Sequence, residues 1–342
     1  MGIGKLEGSH YPIHETLTAC SFREQVPETP KSVLISTGGQ MKEDEIVDLC
    51  SKDQVEEGAF LEKVRQEFPN IKWSTHRYLT HGWDHAVLVL DEKTIIRTPK
   101  DTSNACEMQD EIRLLSYLRG MVDIDIPVYE YISADSTIAG YKMLPGRELN
   151  AQTFETLTNR DKENLAEILA RFLTVLHSTP ETVIQQSNTR EESQADIYED
   201  LRRNAEKHLQ SRLNASELSV LARYFTELHD TLDDEYQKVL THSDLTGEHI
   251  LWDEQNRRVS IIDFADRSLN DPAIDFAGFF EYGDDFVNKV YSLYGGKKDN
   301  GFLHRADVYY KRIAVYIMVD ALEGYPCTFE EGYTLFQERL MK

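Results

Sequence analysis

The stretch that decides the fold reads His242-Ser243-Asp244-Leu245-Thr246-Gly247-Glu248-His249-Ile250-Leu251, and it is followed by Ile261-Ile262-Asp263-Phe264 and by Asp271-Pro272. Within it, a polar loop leads into a short apolar strand at 249–252, and turn residues at 253–256 lead into a second strand at 259–263. Two strands joined so tightly form an antiparallel hairpin, in which facing Cβ atoms lie roughly 5 Å apart. The pattern therefore predicts that three polar side chains meet at the open end of the hairpin: Asp244, His249 and Asp263.

Three such groups at one hairpin mouth suit phosphoryl transfer. That reaction needs an in-line nucleophile, a base near its hydroxyl, and Mg²⁺ on the phosphates of a nucleotide. Asp244 would orient or deprotonate the attacking hydroxyl, and Asp263 offers the hard oxygen ligand that Mg²⁺ prefers. In the simpler alternative Asp244 caps a turn and Asp263 is an ordinary strand-end carboxylate. The spacing of the two residues favours the catalytic interpretation.

The same residues resemble the motifs of the aminoglycoside phosphotransferase family of small-molecule kinases, which share the protein-kinase fold. The family pattern is His-x-Asp, four more residues, Asn or His, then Ile-Asp-Phe or Ile-Asp-Trp, then Asp-Pro-x-x-Asp. It is met here by His242, Asp244, His249, Asp263, Asp271, Pro272 and Asp275. Within the family the chain is most similar to the 2''-phosphotransferases, which also carry His where most relatives have Asn. The run Glu281-Tyr282-Gly283, with Phe286-Val287 and Lys289-Val290, resembles theirs too.

The resemblance runs from about residue 57 to the end and implies the fold, the activity and the roles of the motif residues. It implies an α+β fold with two lobes, a small antiparallel-sheet N-lobe and a mostly helical C-lobe. It also implies Mg²⁺ and a nucleoside triphosphate, ATP or GTP, as phosphoryl donor. Asp244 is then the catalytic carboxylate, Asp263 a metal ligand, and Asp275 a structural brace for the catalytic loop.

The two histidines of the motif admit several roles. An imidazole is a softer ligand than an amide oxygen, and Mg²⁺ prefers oxygen. For His249, direct ligation and positioning of phosphate or metal therefore both stay open, as does a structural role at the start of a buried strand. We expect His242 to hold the loop through hydrogen bonds rather than to carry protons.

Composition limits the classes of partner. The formal net charge of −23 over 342 residues argues against nucleic-acid binding through phosphate contacts, which needs a basic surface. It fits a cationic small-molecule substrate, although many soluble proteins without one are acidic. The four cysteines have no paired spacing and suggest reduced thiols. No segment reaches the apolar length of a membrane span, so we expect a cytoplasmic protein. We also expect a monomer.

The chain divides into three segments on the basis of its patterns. Residues 1–40 lack hydrophobic periodicity and are predicted to be an extension outside the catalytic fold. Residues 41–143 form the predicted N-lobe, with a helix at 42–68. Its strands are expected at 72–79, 85–90 and 94–98, with a further strand pair at 132–144. Residues 144–342 form the predicted helical C-lobe for catalysis and substrate binding.

The predicted N-lobe offers candidates for nucleotide binding. Gly82, in a loop between two strands, could bring backbone N–H groups near phosphate, although one glycine is a weak signal. By resemblance Arg97 takes the place of a phosphate-binding lysine, with Glu111 at the edge of a helix as its partner. The alternatives are an exposed strand cation and a solvated helix flank. By resemblance the backbone near Met143 and Pro145, before a Pro-Gly hinge, would hydrogen-bond the purine.

The segment after the hairpin bears on the acceptor. Asp271-Pro272 has the pattern of an N-cap and first helical residue, so a helix is predicted at 272–282. Seven residues separate Asp263 from Asp271, which leaves no room for a long peptide-holding segment and favours a small-molecule acceptor. Three carboxylates at or after the end of this helix would oppose its dipole, which suggests docking sites for the amino groups of an aminoglycoside: Glu281, Asp284 and Asp285. A solvated acidic turn is equally compatible with them.

We therefore expect a kinase that phosphorylates a hydroxyl of an aminoglycoside and so confers antibiotic resistance. Three alternatives stay open. One is a kinase of the same fold that acts on a macrolide or a metabolite, and another is a nucleotide-binding scaffold without catalysis. The third, an inert interaction protein, is disfavoured by the intact Asp244 and Asp263.

Overall fold

The computed structural model describes residues 57–79, 85–100, 105–325 and 327–341. The expected extension at 1–40 lies outside them, as do the first part of the helix predicted at 42–68 and Gly82. The described residues fall into two compact units. One contains residues 57–108 and 129–143, and the other contains residues 109–128 and everything from Leu144 onward, within the described ranges.

The smaller unit is an antiparallel sheet packed against a helix. Helix α1 covers residues 57–67, and the sheet has the order β1-β2-β3-β5-β4. Its strands are β1 (His76–Leu79), β2 (His85–Leu90), β3 (Thr94–Pro99), β4 (Tyr129–Ile132) and β5 (Ala139–Lys142). Phe60, Val64 and Phe68, four residues apart, face the alternating inward side chains of β2 and β3 and form one core with them. This spacing of apolar residues is that of one face of a helix.

Two strand boundaries differ from the expected ones. The segment 72–75 does not join β1, because the Asp91 carboxylate accepts hydrogen bonds from the backbone N–H groups of Ser74 and Thr75. Those donors serve the β2–β3 turn instead of a neighbouring strand. The last strand pair begins at Tyr129 rather than at residue 132, and a register shift lies between Tyr129 and Tyr131.

The larger unit takes up residues that the sequence assigned to the N-lobe. Helix α2 (Ala105–Leu118) contributes its residues from Gln109 onward, and the segment that follows it pairs with the hairpin. Asp125 donates its N–H to Val259 and accepts from Ile261 through its carbonyl, and its carboxylate binds Arg258 at 2.7 Å. These bonds explain why residues 109–128 belong with the larger unit.

The predicted hairpin is present. Strands β8 (Ile250–Asp253) and β9 (Arg258–Ile261) are antiparallel, with Ile250 opposite Ile261, and β6 (Arg147–Glu148) pairs on the other side of β8. A second small sheet joins β7 (Val239–Thr241) to β10 (Ser268–Asn270). The two sheets hold the two ends of the loop at 242–249, because β7 precedes it and β8 follows it.

Helices make up most of the larger unit. They are α3 (Ala151–Glu155), α4 (Asn159–His177), α5 (Glu181–Gln186), α6 (Gln194–Leu209), α7 (Ala215–Asp230), α8 (Ile274–Ala277), α9 (Asp284–Leu293), α10 (Phe302–Glu323) and α11 (Phe329–Arg339). A capping box of Asn214 and Glu217 opens α7. No helix in the described ranges is both long and apolar enough to cross a membrane.

The helix predicted at 272–282 is interrupted. Asp271 does accept the N–H of Ala273 at 3.0 Å, but the regular α-helix covers only Ile274–Ala277 and continues as a 3-10 helix at Gly278–Tyr282. Gly283 then has φ +89° and starts a new helix, α9. The chain therefore turns between Glu281 and Asp284, which the apolar pattern did not indicate.

Candidate active site

One buried carboxylate holds the start of the loop at 242–249 through hydrogen bonds to its backbone. Asp275 is fully buried and accepts hydrogen bonds from the backbone N–H groups of His242, at 2.9 Å, and Ser243, at 2.8 Å. Its Oδ2 atom also lies 2.9 Å from Nε2 of His177, whose Nδ1 atom lies 2.6 Å from the hydroxyl of Tyr294. Asp275 thus occupies the bracing position that the family resemblance implied.

The brace holds an unusual backbone conformation. Ser243 has φ +69°, in the left-handed region that costs a non-glycine residue of order 1 kcal/mol or more. The Ser243 hydroxyl bonds to the side chains of Thr241 and Ser268, each at 2.8 Å. These hydrogen bonds stabilise the turn, and the turn directs the next residue, Asp244, away from strand β7.

His242 is a hydrogen-bonding residue of the loop, as predicted. It is fully buried, its Nε2 donates to the carbonyl of Ile262 at 3.0 Å, and its Nδ1 accepts the N–H of Asp244 at 3.3 Å. Burial lowers the pKa of His242, in keeping with a neutral ring that donates through one nitrogen and accepts through the other. The ring ties the loop to the end of strand β9.

The three polar residues predicted to meet at the hairpin mouth do so, with His249 in the middle. Its Nδ1 lies 2.8 Å from the carbonyl oxygen and 3.2 Å from Oδ2 of Asp244. Its Nε2 lies 3.9 Å from Oδ2 of Asp263. Burial disfavours the charged ring, but the carboxylates of Asp244 and Asp263 outweigh burial and raise the pKa of His249 to about 10.

Asp263 reaches this position by leaving the strand. Strand β9 ends at Ile261, although one more bond, from the Ile262 N–H to the His249 carbonyl at 3.0 Å, extends the pairing. Asp263 itself has φ +61°, and its side chain is 44% exposed. The sequence predicted that the strand would continue to Asp263; instead the left-handed turn swings the carboxylate toward His249.

Asp244 presents one unused oxygen. The residue is 6% exposed, and its Oδ1 atom is buried with no hydrogen-bond partner among the described residues. Oδ2, in contrast, faces His249. Buried carboxylate oxygens are normally satisfied, so this atom has the geometry of a group that awaits a donor.

A pocket opens beside Asp244. One wall is formed by residues 243–246 of the loop, and a second by Ile274, Ala277 and Gly278. The third wall is one face of helix α10, with residues spaced three and four apart: Tyr309, Arg312, Ile313 and Tyr316. Asp244, the candidate catalytic residue, is one of the residues that line this pocket.

The oxygen donors at the hairpin mouth are compatible with Mg²⁺. No group of three or more His, Cys, Asp or Glu side chains arranged to hold a metal is found in the described part of the chain. Mg²⁺ in nucleotide sites is bound by only one or two carboxylates, with phosphates and water completing its shell. The partly exposed Asp263, with Nε2 of His249 beside it, meets that smaller requirement.

The carboxylates predicted to bind the acceptor differ in their surroundings. Glu281 is partly buried, burial raises its pKa, and its Oε1 lies 3.5 Å from Nη2 of Arg339. Asp284 and Asp285 are exposed and lie in the first turn of α9, where carboxylates interact favourably with the helix dipole. The expectation that these two oppose a dipole was therefore wrong, because a new helix begins at them.

Glu248 is an acidic residue that the sequence analysis did not single out. It is half-buried. Burial, together with the carboxylates of Asp244, Glu148 and Glu281, raises its pKa to about 7 against the opposing effect of His249. Four carboxyl groups thus share one neighbourhood. Its position between Gly247 and His249, inside the motif itself, was the available signal.

The candidate nucleotide-binding residues are placed as follows. Arg97 is 5% exposed and Glu111 2% exposed, so neither is the solvated surface residue of the simpler alternative. Arg97 donates to the Tyr129 hydroxyl at 3.1 Å. The N–H of Met143 donates to the carbonyl of Lys93 at 2.8 Å, and the carbonyl of Pro145 accepts the Ser260 hydroxyl at 2.9 Å.

These bonds restrict how Met143 and Pro145 could meet a purine. The Met143 N–H is already used and proline has no N–H, so only carbonyl groups, which have two lone pairs, offer capacity to a base. The pairing of Arg97 with Glu111 stays a prediction. Gly82 lies outside the described residues.

Comparison with known proteins agrees with the motif. A family model described as the phosphotransferase enzyme family matches residues 75–303. The GDP and kanamycin complex of APH(2'')-IIIa has a TM-score of 0.73 and 23% identity, covering 82% of this chain and 98% of that chain. For the gentamicin complex of APH(2'')-IIa the values are 0.63, 21%, 83% and 95%.

A macrolide 2'-phosphotransferase of type I is also similar, with a TM-score of 0.61 and 18% identity over 83% of this chain and 96% of that chain. At identities this low the structural likeness establishes the fold alone. It confirms the predicted α+β, protein-kinase-like architecture, with a small antiparallel sheet and a helical C-terminal part.

Proposed function

Since the chain belongs to the phosphotransferase enzyme family, we propose that it transfers the γ-phosphoryl group of a nucleoside triphosphate to a hydroxyl group of an aminoglycoside. The observation that carries the proposal is the arrangement at Asp244. Oδ1 is buried and has no hydrogen-bond partner among the described residues, while Oδ2 faces His249, and a pocket adjoins the residue.

Asp244 would act on the acceptor hydroxyl. With Oδ2 turned to Nδ1 of His249, the side chain is held in one orientation and Oδ1 can accept a hydrogen bond from the hydroxyl. Because the transferred phosphoryl group passes through a loose transition state, orienting the nucleophile is a larger contribution than removing its proton early. Asp275 would contribute indirectly, by holding the backbone on which Asp244 sits.

Asp263 and His249 would hold the metal and the phosphates. Bound Mg²⁺ would neutralise charge on the nucleotide's phosphate oxygens. Asp263 supplies the hard carboxylate oxygen for it. His249, with its Nδ1 bound to the loop backbone, keeps Nε2 directed to the Asp263 side, where it could ligate the metal or donate to phosphate.

The nucleotide would be held by the residues that the motif comparison pointed to. We propose that Arg97, paired with Glu111, grips its phosphates, with backbone near Gly82 approaching them as well. The purine would be bound by carbonyl groups near Met143 and Pro145. The base, adenine or guanine, is left open by these contacts.

The acidic neighbourhood favours a cationic acceptor. Glu281 and Glu248 are half-buried, and the Glu248 carboxyl group is repelled by both Asp244 and Glu281. An ammonium group placed between Glu281 and Glu248 would relieve their mutual repulsion. Asp284 and Asp285 are weaker candidates, because the start of α9 already stabilises them. The short connection from Asp263 to Asp271 contains strand β10 and no long loop, which favours a small molecule over a peptide.

Replacement of Asp244 by Asn tests the proposal. We expect turnover of kanamycin or gentamicin with ATP or GTP to fall by at least the 10²- to 10⁴-fold that a positioned base contributes, while nucleotide binding, measured by calorimetry, stays close to that of the unmodified protein. Asp230→Asn is the matched control: it makes the same chemical change at an exposed residue at the end of α7. A fully active Asp244→Asn variant would remove the role assigned to this residue.

A macrolide acceptor is the second candidate. The aromatic and aliphatic side chains of α10 and α8 in the pocket suit a larger, less charged molecule. Comparing phosphorylation of erythromycin with that of kanamycin by the purified protein separates the two. Nucleotide binding without turnover of any acceptor, a metabolite panel included, would instead identify a catalytically inactive scaffold.

A further inference from the structure

One cation in the pocket beside Asp244 has no counter-ion among the residues that the structure describes. Arg312 is 6% exposed and lines the pocket. Its Nη1 atom donates to Oε1 of Gln194 at 2.7 Å, and its guanidinium carbon lies 4.7 Å from the ring centre of Tyr309 and 5.6 Å from that of Tyr316. No carboxylate lies within ion-pairing distance of it in the described part of the chain.

The arrangement around Arg312 is constructed rather than incidental. Gln194 is buried, and its Nε2 donates to Oδ1 of Asn270 at 2.9 Å, which fixes its amide so that the oxygen faces Arg312. Two tyrosine faces complete the surroundings of the cation. Amide and aromatic groups offset only part of the cost of removing a charge from water.

Another arginine of the same helix shows the contrast. Arg305 is fully buried and has three carboxylate partners, Asp271, Asp299 and Asp234, at 2.7 to 3.1 Å. Arg305, which stabilises the fold, is therefore neutralised by carboxylates. Arg312, which faces the pocket seven residues further along the same helix, has no carboxylate partner among the described residues.

Opposite charges consequently lie near the same catalytic residue. The carboxyl group of Glu248 lies within electrostatic reach of the Asp244 carboxylate, whereas the α10 wall of the pocket supplies positive charge through Arg312. These charges would select among rigid acceptors that carry amines and hydroxyls at fixed positions. An ammonium group near Arg312 is repelled, whereas an oxygen there accepts a hydrogen bond.

Resting on the proposed phosphoryl transfer at Asp244, we propose that Arg312, between Tyr309 and Tyr316, is a specificity-determining residue of the acceptor site. It receives an uncharged, oxygen-bearing part of the acceptor and rejects acceptors that place an ammonium group there. Its charge, rather than its size, makes the distinction.

The test compares two acceptors of one scaffold, kanamycin A and kanamycin B, which has an amine where the former has a hydroxyl. The quantity measured is kcat/KM for kanamycin B divided by kcat/KM for kanamycin A. In Arg312→Gln, which keeps a hydrogen-bonding amide but removes the charge, we expect this ratio to rise about tenfold. In Arg312→Lys, which keeps the charge, it should stay within about twofold of the unmodified ratio.

Arg223→Gln is the matched control, since Arg223 is an exposed residue of α7, and it should leave the ratio unchanged. Melting temperature and nucleotide binding show that each variant is folded. An unchanged ratio in Arg312→Gln, or an equal change in Arg312→Lys, overturns the inference while leaving the proposed function intact. Absence of turnover with every acceptor in the unmodified protein overturns the proposed function, and the inference with it.

Discussion

Replacing Asp275 by Asn is predicted to damage both the fold and the catalysis through one set of hydrogen bonds. The carboxylate accepts from the N–H groups of His242 and Ser243 and faces Nε2 of His177. An amide has a single acceptor oxygen, and its NH₂ group must face at least one of these donors. The least costly orientation turns the NH₂ toward Ser243, because the other oxygen serves two partners.

The magnitude follows from this count. One backbone N–H left unpaired in a fully buried site costs about 1–3 kcal/mol, and loss of charge assistance in the remaining bonds costs about 1 kcal/mol each. Removing a buried charge offsets part of the sum. We therefore expect a loss of about 3 kcal/mol in the free energy of unfolding, a large share of the roughly 5–15 kcal/mol typical of whole domains.

Catalysis should fall further than stability alone would require. Without the hydrogen bond from its N–H to Asp275, Ser243 is held less firmly at φ +69°, and Asp244, the next residue, shifts with it. A displacement of about 1 Å can cost about 100-fold in rate. Urea unfolding gives the stability, and kcat is measured at a temperature where the variant is folded. Asp230→Asn, at an exposed residue of α7, serves as the control, with kcat and melting temperature close to those of the unmodified protein.

Two results would contradict this reasoning. An Asp275→Asn variant as stable as the unmodified protein would mean that the three contacts do not hold the loop. A variant that loses stability but keeps its kcat would show that Asp275 braces the fold without positioning Asp244.

The other predictions concern the surroundings of the site. A Cβ at Gly278 would overlap the Leu245 carbonyl oxygen, so Gly278→Ala should cost about 1–3 kcal/mol and lower kcat, whereas Gly120→Ala, with open space around it, should do neither; thermal melts and acceptor kinetics decide. Arg305→Met removes the cation that pairs with the fully buried Asp271 carboxylate and should cost about 3–5 kcal/mol in urea unfolding. Burial raises the pKa of Asp320 to about 7, so its neutral form favours the folded state and the free energy of unfolding falls as pH rises from about 4 to 7. Asp320→Asn cannot ionise, so its free energy of unfolding should gain about 2–3 kcal/mol relative to that of the unmodified protein between pH 5 and pH 8. A melting series in which this difference does not grow contradicts the prediction.

The sequence was sufficient for the hairpin and the loop because their signals are local. Strand β8, the turn and β9 occupy one short run, so alternation and turn residues fix their register, and the meeting of Asp244, His249 and Asp263 follows from it. The bracing role of Asp275 came from family resemblance. Nothing in the spacing itself shows that Asp275 lies beneath Ser243.

The structural features that depend on the turn at Gly283 could not be predicted from the local sequence pattern. The apolar residues from Ile274 to Val290 are compatible with one continuous helix or two, and only the positive φ of Gly283 and the packing around it decide between these. For that reason Asp284 and Asp285 were assigned to the end of one helix although they begin the next. Side chains on an amphipathic helix are likewise assigned to the core by default, which is why Arg312 was not recognised as part of a pocket.

The histidine at position 249 illustrates how the local geometry constrains the chemistry. Because Nδ1 is bound to the Asp244 backbone, the ring is fixed by the loop itself, and Nε2 extends toward Asp263 with no further freedom. An asparagine, the residue most relatives of the resembled family carry, is shorter, so it could satisfy the loop carbonyl or approach Asp263 but would not span both. A histidine at this position therefore binds the Asp244 loop through one ring nitrogen and faces the Asp263 carboxylate with the other.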